Sequence, residues 1–302
     1  MRISTGLLWA MLAIAASVAS SAAPPEGAKG LPNPFYAMDT AFGGPRSPDA
    51  KLDELKALGY AGASVSGDVT GLVDEFARGA EKRGLKLYCV FVTFRLADGK
   101  LQVPANLDAV FQAIRGPDTL VWICIPSTSK QFKPSDPQAD DIVVPELRSV
   151  ADRAAKSGIR LAIYPHLGYW VERVEDAVRV ARKVDRPNCG VTFNLCHCLA
   201  VKDGDKIPQI LKDARPLLFS VTISGADAGA QGWPHLIQTL DHGTFDVLPV
   251  LQQLREVGYT GPIGFQGYGI HGDWKDNLAR TMTAWRRLSA AATASPPRPA
   301  AE

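Results

Sequence analysis

Apolar positions along this chain switch repeatedly between two periods. Short runs rich in β-branched and aromatic residues alternate with stretches whose apolar residues recur every three or four positions. That is the pattern of successive strand–helix units on a parallel sheet. The first strand is expected at residues 35–40. Ser47 caps the helix that follows, Pro48 takes its first turn, Leu52, Leu55 and Leu58 form its apolar stripe, and Gly59 ends it. Further strands are expected at 61–66, 86–93, 119–125, 160–165, 189–194, 217–224 and 262–266. Helical patterns fall at 72–83, 106–114, 144–157, 174–184, 206–214, 245–257 and 274–288. In the last of these, Leu278, Met282 and Trp285 share one face.

Eight strands alternating with eight helices within residues 33–289 are the inventory of a single-domain (β/α)8 TIM barrel. An internal echo supports one unit reused around a ring. Leu52 and Leu55 precede Gly59-Tyr60-x-Gly62 with the same spacing by which Leu251 and Leu254 precede Gly258-Tyr259-x-Gly261. Lys82 to Leu87 is echoed by Lys156 to Leu161 in the same way. In each copy a helix stops at a glycine able to turn left-handed and a strand begins at once. The alternative, an open doubly wound sheet, lacks a glycine-rich phosphate fingerprint after the first strand.

The flanks read differently. Arg2 followed by the apolar run 7–16 and the small residues Ser20-Ser21-Ala22 reads as a signal peptide over residues 1–22, with no cysteine placed for lipid attachment. The run is too short to span a bilayer and no other segment has the length to do so. The mature protein is therefore expected to be exported, periplasmic or secreted, with no membrane attachment after cleavage. Residues 23–32 are expected to be a flexible lead-in, and the Ala- and Pro-rich residues 290–302 a disordered tail. Over 302 residues, 33 basic and 31 acidic side chains leave a net charge of +2, which argues against a nucleic-acid partner. The apolar share of 46% excludes a disordered chain.

Export permits disulfides, but five cysteines are an odd number. Cys89, Cys124 and Cys189 sit in apolar strand-like runs and read as small buried hydrophobes. Cys196-His197-Cys198 looks like a metal cluster, yet adjacent residues diverge, so a structural zinc is not expected there.

Chemistry in a (β/α)8 barrel gathers at the C-terminal ends of the strands. On that map His166, His197, His235, His242 and His271 all follow strands five to eight. His166 and His197 follow neighbouring strands and are the candidate catalytic pair, since imidazole transfers protons near neutral pH or binds metal. Tyr164, Asn194 and Gln266 end strands and suit hydrogen bonding to hydroxyls or a carbonyl, or form a satisfied polar layer at the barrel top. With Asp39, Trp170, Tyr268 and His271 they are the candidate substrate-binding set. Tyr169, Trp233 and Trp274 add to the aromatic crowding of these loops, a composition suited to a small ligand such as a sugar or simply to a covered rim. Glu172, Asp227 and Asp241 are further candidate carboxylates.

At these strand ends the chain resembles the xylose isomerase-like TIM barrels, the sugar phosphate isomerase/epimerase superfamily, over about residues 33–288. The stretches that carry the resemblance are Ile163-Tyr164-Pro165-His166, Phe193-Asn194-Leu195-Cys196-His197, Leu240 to Asp246, and Leu254 to Gln266. The resemblance implies a carbohydrate ligand and a divalent metal held by glutamate, aspartate, histidine and glutamate at the ends of strands five to eight. The matching positions here read Tyr164, Asn194, Thr222 and Gln266, a neutral set ill suited to a hard cation. The expectation is therefore an exported, cofactor-free enzyme acting by proton transfer next to a sugar carbonyl, giving isomerisation, epimerisation or elimination. Two alternatives stand beside it. One is the same enzyme class with a rebuilt divalent metal site using His166 and His197, with or without an acidic loop residue. The other is a non-catalytic carbohydrate-binding barrel that has lost the metal site.

Overall fold

A computed structural model describes residues 30–43, 47–97, 99–114 and 119–294. The expected signal peptide and the last eight residues of the expected tail lie outside them.

The chain lays down β1 (Phe35–Ala37), α1 (Pro48–Leu58), β2 (Gly62–Ser66), α2 (Thr70–Lys82) and β3 (Lys86–Thr93). A small antiparallel hairpin of β4 (Arg95–Ala97) and β5 (Lys100–Gln102) precedes α3 (Leu107–Ala113) and β6 (Leu120–Cys124). Then come α4 (Asp140–Ala155), β7 (Arg160–Ile163), α5 (Val174–Val184), β8 (Cys189–Asn194), α6 (Leu195–Ala200) and α7 (Ile207–Ala214). The chain closes with β9 (Leu218–Ile223), α8 (Trp233–Leu236), α9 (Leu248–Glu256), β10 (Ile263–Phe265) and α10 (Trp274–Ala294). Eight strands close one parallel barrel in the order β1-β10-β9-β8-β7-β6-β3-β2. The (β/α)8 expectation therefore holds; the hairpin, α6 and α8 are additions that the periodicity did not announce. Among the described residues no helix is long and apolar enough to cross a membrane.

The helix-to-strand hand-offs show why the repeats read as they do. Gly59, Gly84, Gly158 and Gly258 all take positive φ, between 66° and 86°. In each, the next residue's N–H reaches back to a carbonyl five residues earlier: Tyr60 to Leu55, Leu85 to Ala80, Ile159 to Ala154 and Tyr259 to Leu254, at 2.8 to 3.0 Å. This closing bond satisfies an orphan helix carbonyl and turns the chain into the next strand. Ser47 Oγ accepts from Ala50 N–H at 3.3 Å and caps α1 as expected.

Two flank expectations change. Leu31, assigned to the flexible lead-in, is buried, and its N–H donates to Ser289 Oγ at 2.6 Å. The tail does not begin at residue 290: α10 runs on to Ala294 with Ala290 and Ala292 buried. Alanine's helix propensity and small volume allow the close packing that a search for large apolar residues overlooks.

The outer faces of the strands pack against the helices in one continuous apolar core. Inside the barrel the filling is divided. One side is aromatic, with Tyr36, Tyr88, Trp122 and Tyr164 in contact. The β8 and β9 side presents Thr192, Asn194, Ser220 and Thr222, all buried. The halves are stitched by Trp122 Nε1–H donating to Ser220 Oγ at 2.8 Å, with Thr192 Oγ1 also 2.8 Å from that oxygen. All five cysteines are free and buried.

Candidate functional site

An open cavity of about 480 Å3 sits at the C-terminal end of the barrel. Its wall contains Tyr164, His166, His197, Gln266, Tyr268 and Asp39, six of the sequence-derived candidates, together with Met38, Thr40, Ser66, Asp68, Phe91, Tyr169, Trp233 and Ile237.

The histidine pair is held by short connections. β7 ends at Ile163 and a tight loop follows, closed by His166 N–H to Val171 carbonyl at 3.0 Å and Tyr169 N–H to His166 carbonyl at 3.0 Å. β8 runs directly into α6 with no intervening residue, which places His197 on that helix's first turn. The two rings lie 4.1 Å apart between centroids. Tyr169 stacks on His166 at 4.0 Å and Trp233 meets His197 edge-on at 5.1 Å. One residue touches both rings through its backbone. Leu167 N–H donates to Nδ1 of His197 at 3.2 Å, and the Leu167 carbonyl oxygen lies 2.9 Å from Nδ1 of His166. Burial lowers the His166 pKa below the ordinary imidazole value. Burial, with the neighbouring His166 ring adding repulsion, lowers that of His197 well below it. Both rings are therefore neutral at pH 7.

Tyr164 forms the floor beside them. Its hydroxyl receives the Asn194 side-chain amide and also hydrogen-bonds Gln266. Burial drives the phenol pKa far above its usual value, so it remains a hydrogen-bond donor rather than a phenolate. Gln266 Oε1 accepts from Thr40 Oγ1 at 2.5 Å and from Tyr268 N–H at 3.1 Å. Asp39, half-buried at the rim, has its carboxyl pKa raised by burial, against the backbone N–H groups of Ser66 and Thr40 that favour its ionised form.

Three candidates are elsewhere. Asn194 does not face the cavity: it is fully buried, holding Tyr164 on one side and accepting the Cys196 thiol at 3.0 Å on the other. Trp170 is fully buried in the outer core with Nε1–H on the Asp136 carbonyl at 2.8 Å, because the tight loop after β7 folds it inward. His271 is exposed outside the cavity, since the loop after β10 carries it past the rim, where its carbonyl accepts from Asn277. His235, on the short helix α8, and His242, in the loop beyond it, are likewise exposed and pair with Asp227 and Asp241. Cys196, His197 and Cys198 diverge along α6: a thiol to Asn194, a ring to the cavity, and a thiol in the outer core with its pKa pushed up to about 12 by burial.

The site residues that periodicity missed fall into two kinds. Ser66 and Thr40 sit at or just past strand ends, so the rule that found Tyr164 also reaches them. The Leu167 contribution comes from a peptide group, which no residue type signals.

The donors present at the strand ends differ from those that the divalent metal implied by the resemblance requires. At the four strand-end positions the Asn194 oxygen is engaged by a thiol and the Gln266 oxygen by two donors, while the buried Thr222 hydroxyl has no hydrogen-bond partner. No group of three or more His, Cys, Asp or Glu among the described residues is arranged to hold a metal ion. A lone neutral hydroxyl beside occupied amide oxygens does not fit a hard divalent cation, which takes charged or free oxygen ligands.

Comparison with known proteins agrees with the architecture. The chain superposes on 3-keto-D-glucoside 4-epimerase from E. coli with a TM-score of 0.66 at 19% identity, covering 84% of this chain and 99% of that one. It superposes on a D-allulose 3-epimerase from Methylomonas sp. with a TM-score of 0.66 at 14% identity, covering 88% and 100%. It spans 42% of a xylose isomerase-like TIM barrel/4-hydroxyphenylpyruvate dioxygenase fusion protein, with 83% of this chain covered, a TM-score of 0.62 and 19% identity. At these identities the likeness is one of fold. No curated protein matches. The family model described as xylose isomerase-like TIM barrel matches residues 52–288, and the chain belongs to that family.

Proposed function

We propose that this chain is an exported carbohydrate-active enzyme that moves a proton next to the carbonyl of a sugar or keto-sugar, without a divalent metal. The products would be those of isomerisation, epimerisation or elimination. The observation that carries the reading is the contact of two neutral imidazoles in the wall of a cavity, 4.1 Å apart beside a buried phenol.

A neutral imidazole removes a proton from the carbon next to the carbonyl, and the electron pair of that C–H bond shifts onto the carbonyl oxygen. In this reading the second imidazole and the Tyr164 hydroxyl donate hydrogen bonds to that oxygen. Return of the proton to a different carbon or face gives isomerisation or epimerisation, and expulsion of a β-hydroxyl gives elimination. Half-buried Trp233 and exposed Tyr268 offer flat apolar faces for a sugar ring. The apolar run at residues 7–16 supports export.

The test is incubation with keto-sugars and aldoses in deuterated water. Deuterium uptake that depends on His197 is the expected result, in protein whose metal content is substoichiometric. Thermal stabilisation by sugars without uptake would instead establish the non-catalytic binding barrel. Stoichiometric metal that disappears in the His166→Ala/His197→Ala double variant would overturn the metal-free reading.

A further inference from the structure

The peptide of Leu167 meets both imidazoles with opposite hydrogen-bonding character. A carbonyl oxygen can only accept, so His166 Nδ1, 2.9 Å from the Leu167 oxygen, must carry a proton. A backbone N–H can only donate, so His197 Nδ1, 3.2 Å from the Leu167 nitrogen, must be bare. In a neutral ring the other nitrogen takes the complementary state. His166 therefore presents an unprotonated Nε2, and His197 presents Nε2–H. Neither Nε2 has a protein partner among the described residues, and neither is sealed from solvent as an orphaned buried atom would be. Both rings line the cavity.

We propose that the Leu167 peptide locks His166 and His197 in opposite neutral tautomers, so that the pair offers an acceptor beside a donor and reads the adjacent hydroxyl and carbonyl of an α-hydroxycarbonyl compound. This rests on the proton-transfer reading and divides its labour. His166 Nε2 is the base, receiving a proton from the hydroxyl or from the carbon that bears it. His197 Nε2–H is the donor to the carbonyl oxygen. Leu167 is a positioning residue that acts through its backbone. The assignment follows from the backbone rather than from the side chain at 167, so most substitutions there would preserve it. Proline is the exception, because it deletes the N–H and keeps the carbonyl.

Two-bond proton–nitrogen correlation spectra of 15N-histidine-labelled full-length protein at neutral pH decide the matter without an activity assay. The expected pattern is a protonated Nδ1 with a bare Nε2 for His166, and the reverse for His197, with assignment from the His166→Gln and His197→Gln variants. The same tautomer in both rings, or an imidazolium at either, overturns the proposal. In Leu167→Pro, His197 should lose its single tautomer while His166 keeps its own; if that variant does not fold, the unmodified protein still decides. Adding 1,3-dihydroxyacetone should shift both Nε2 resonances, whereas glycerol, which has no carbonyl, should leave His197 Nε2 in place. Equal effects of the two compounds would overturn the ligand class. If the tautomers are opposite but no deuterium enters any sugar, the enzyme reading fails and the tautomer assignment stands; uptake with equal tautomers has the reverse meaning.

Discussion

The barrel rim carries two populations of histidine, and they differ in how the chain reaches them. His166 lies three residues past the end of β7 in a loop pinned by its own backbone, and His197 lies three residues past the end of β8 on a helix that starts without a loop. Neither has the length of chain needed to swing away from the barrel axis, and both are in the cavity wall. His235 and His242 follow β9 by twelve and nineteen residues, and each is exposed and paired with an aspartate. For these four histidines a short connection goes with a place in the cavity wall and a long one with an exposed position; the rule is one of reach and not of orientation, since Trp170 on the short connection turns into the outer core while Trp233 and Ile237 on the long one line the cavity.

The comparison is broken most directly at the short-loop pair. His166→Ala or His197→Ala should each reduce deuterium uptake into sugar by about 10²–10⁴-fold, the range for removing a general acid or base. Because the two rings act on one proton transfer, the double variant should lose little more than the worse single one. Additive losses in single-turnover exchange measurements would mean that they do not work together.

Tyr164 tests whether the floor serves the chemistry or only supports it. Tyr164→Phe removes the hydroxyl and with it the acceptor of the buried Asn194 amide, and should lower kcat by about 10²-fold beyond any loss of stability if that hydroxyl faces a developing oxyanion. Asn194→Ala leaves Tyr164 in place but strips the buried phenol and the Cys196 thiol of a partner. Its main cost should be in stability, about 1–3 kcal/mol in urea unfolding. A large kcat loss with unchanged stability would move Asn194 into the cavity's chemistry.

Acid should test the short-loop pair as well. The pKa values of His166 and His197 are lowered in the fold, His197 the more strongly, from an unfolded value of about 6.5. Between the folded and unfolded values the unfolded chain binds more protons, so stability rises with pH there. Their contribution is complete above about pH 6.5 and is lost as pH falls through the folded values. Replacing both with glutamine should flatten that part of the acid limb in calorimetry.

Much of this was legible in the sequence, for identifiable reasons. The left-handed glycines 59, 84, 158 and 258 mark helix ends because few other residues tolerate that conformation, and they fixed the register of the repeats. His166 and His197 were found because neighbouring parallel strands bring their ends together. Trp170 and Asn194 were misplaced because residue type does not reveal which way a tight loop or a strand end turns its side chain. The hairpin β4–β5 was missed because three-residue strands have too few positions to show an alternation. The Leu167 peptide was beyond reach, since backbone groups are the same at every residue.

The smallest expected effects belong to the long-loop histidines, and they are the sharper half of the comparison. His242 lies 3.5 Å from Asp241, which also holds Arg280 at 2.9 Å, with the three side chains between one third and three fifths exposed. Solvent screens such a cluster, and Arg280 still partners Asp241 when the imidazole is removed, so His242→Ala should change stability by less than about 1 kcal/mol. His235 bonds Asp227 in the same loop, but Gln238 and Thr244 also hold that carboxylate. Deuterium uptake in both variants should stay within about twofold of the parent, as expected of surface changes away from the reacting atoms. A tenfold fall in either variant with the fold intact would mean that the connection after β9, which already lines the cavity through Trp233 and Ile237, also brings one of its histidines to the reacting atoms. Connection length would then have misled about which histidines act, and the site would need a third imidazole.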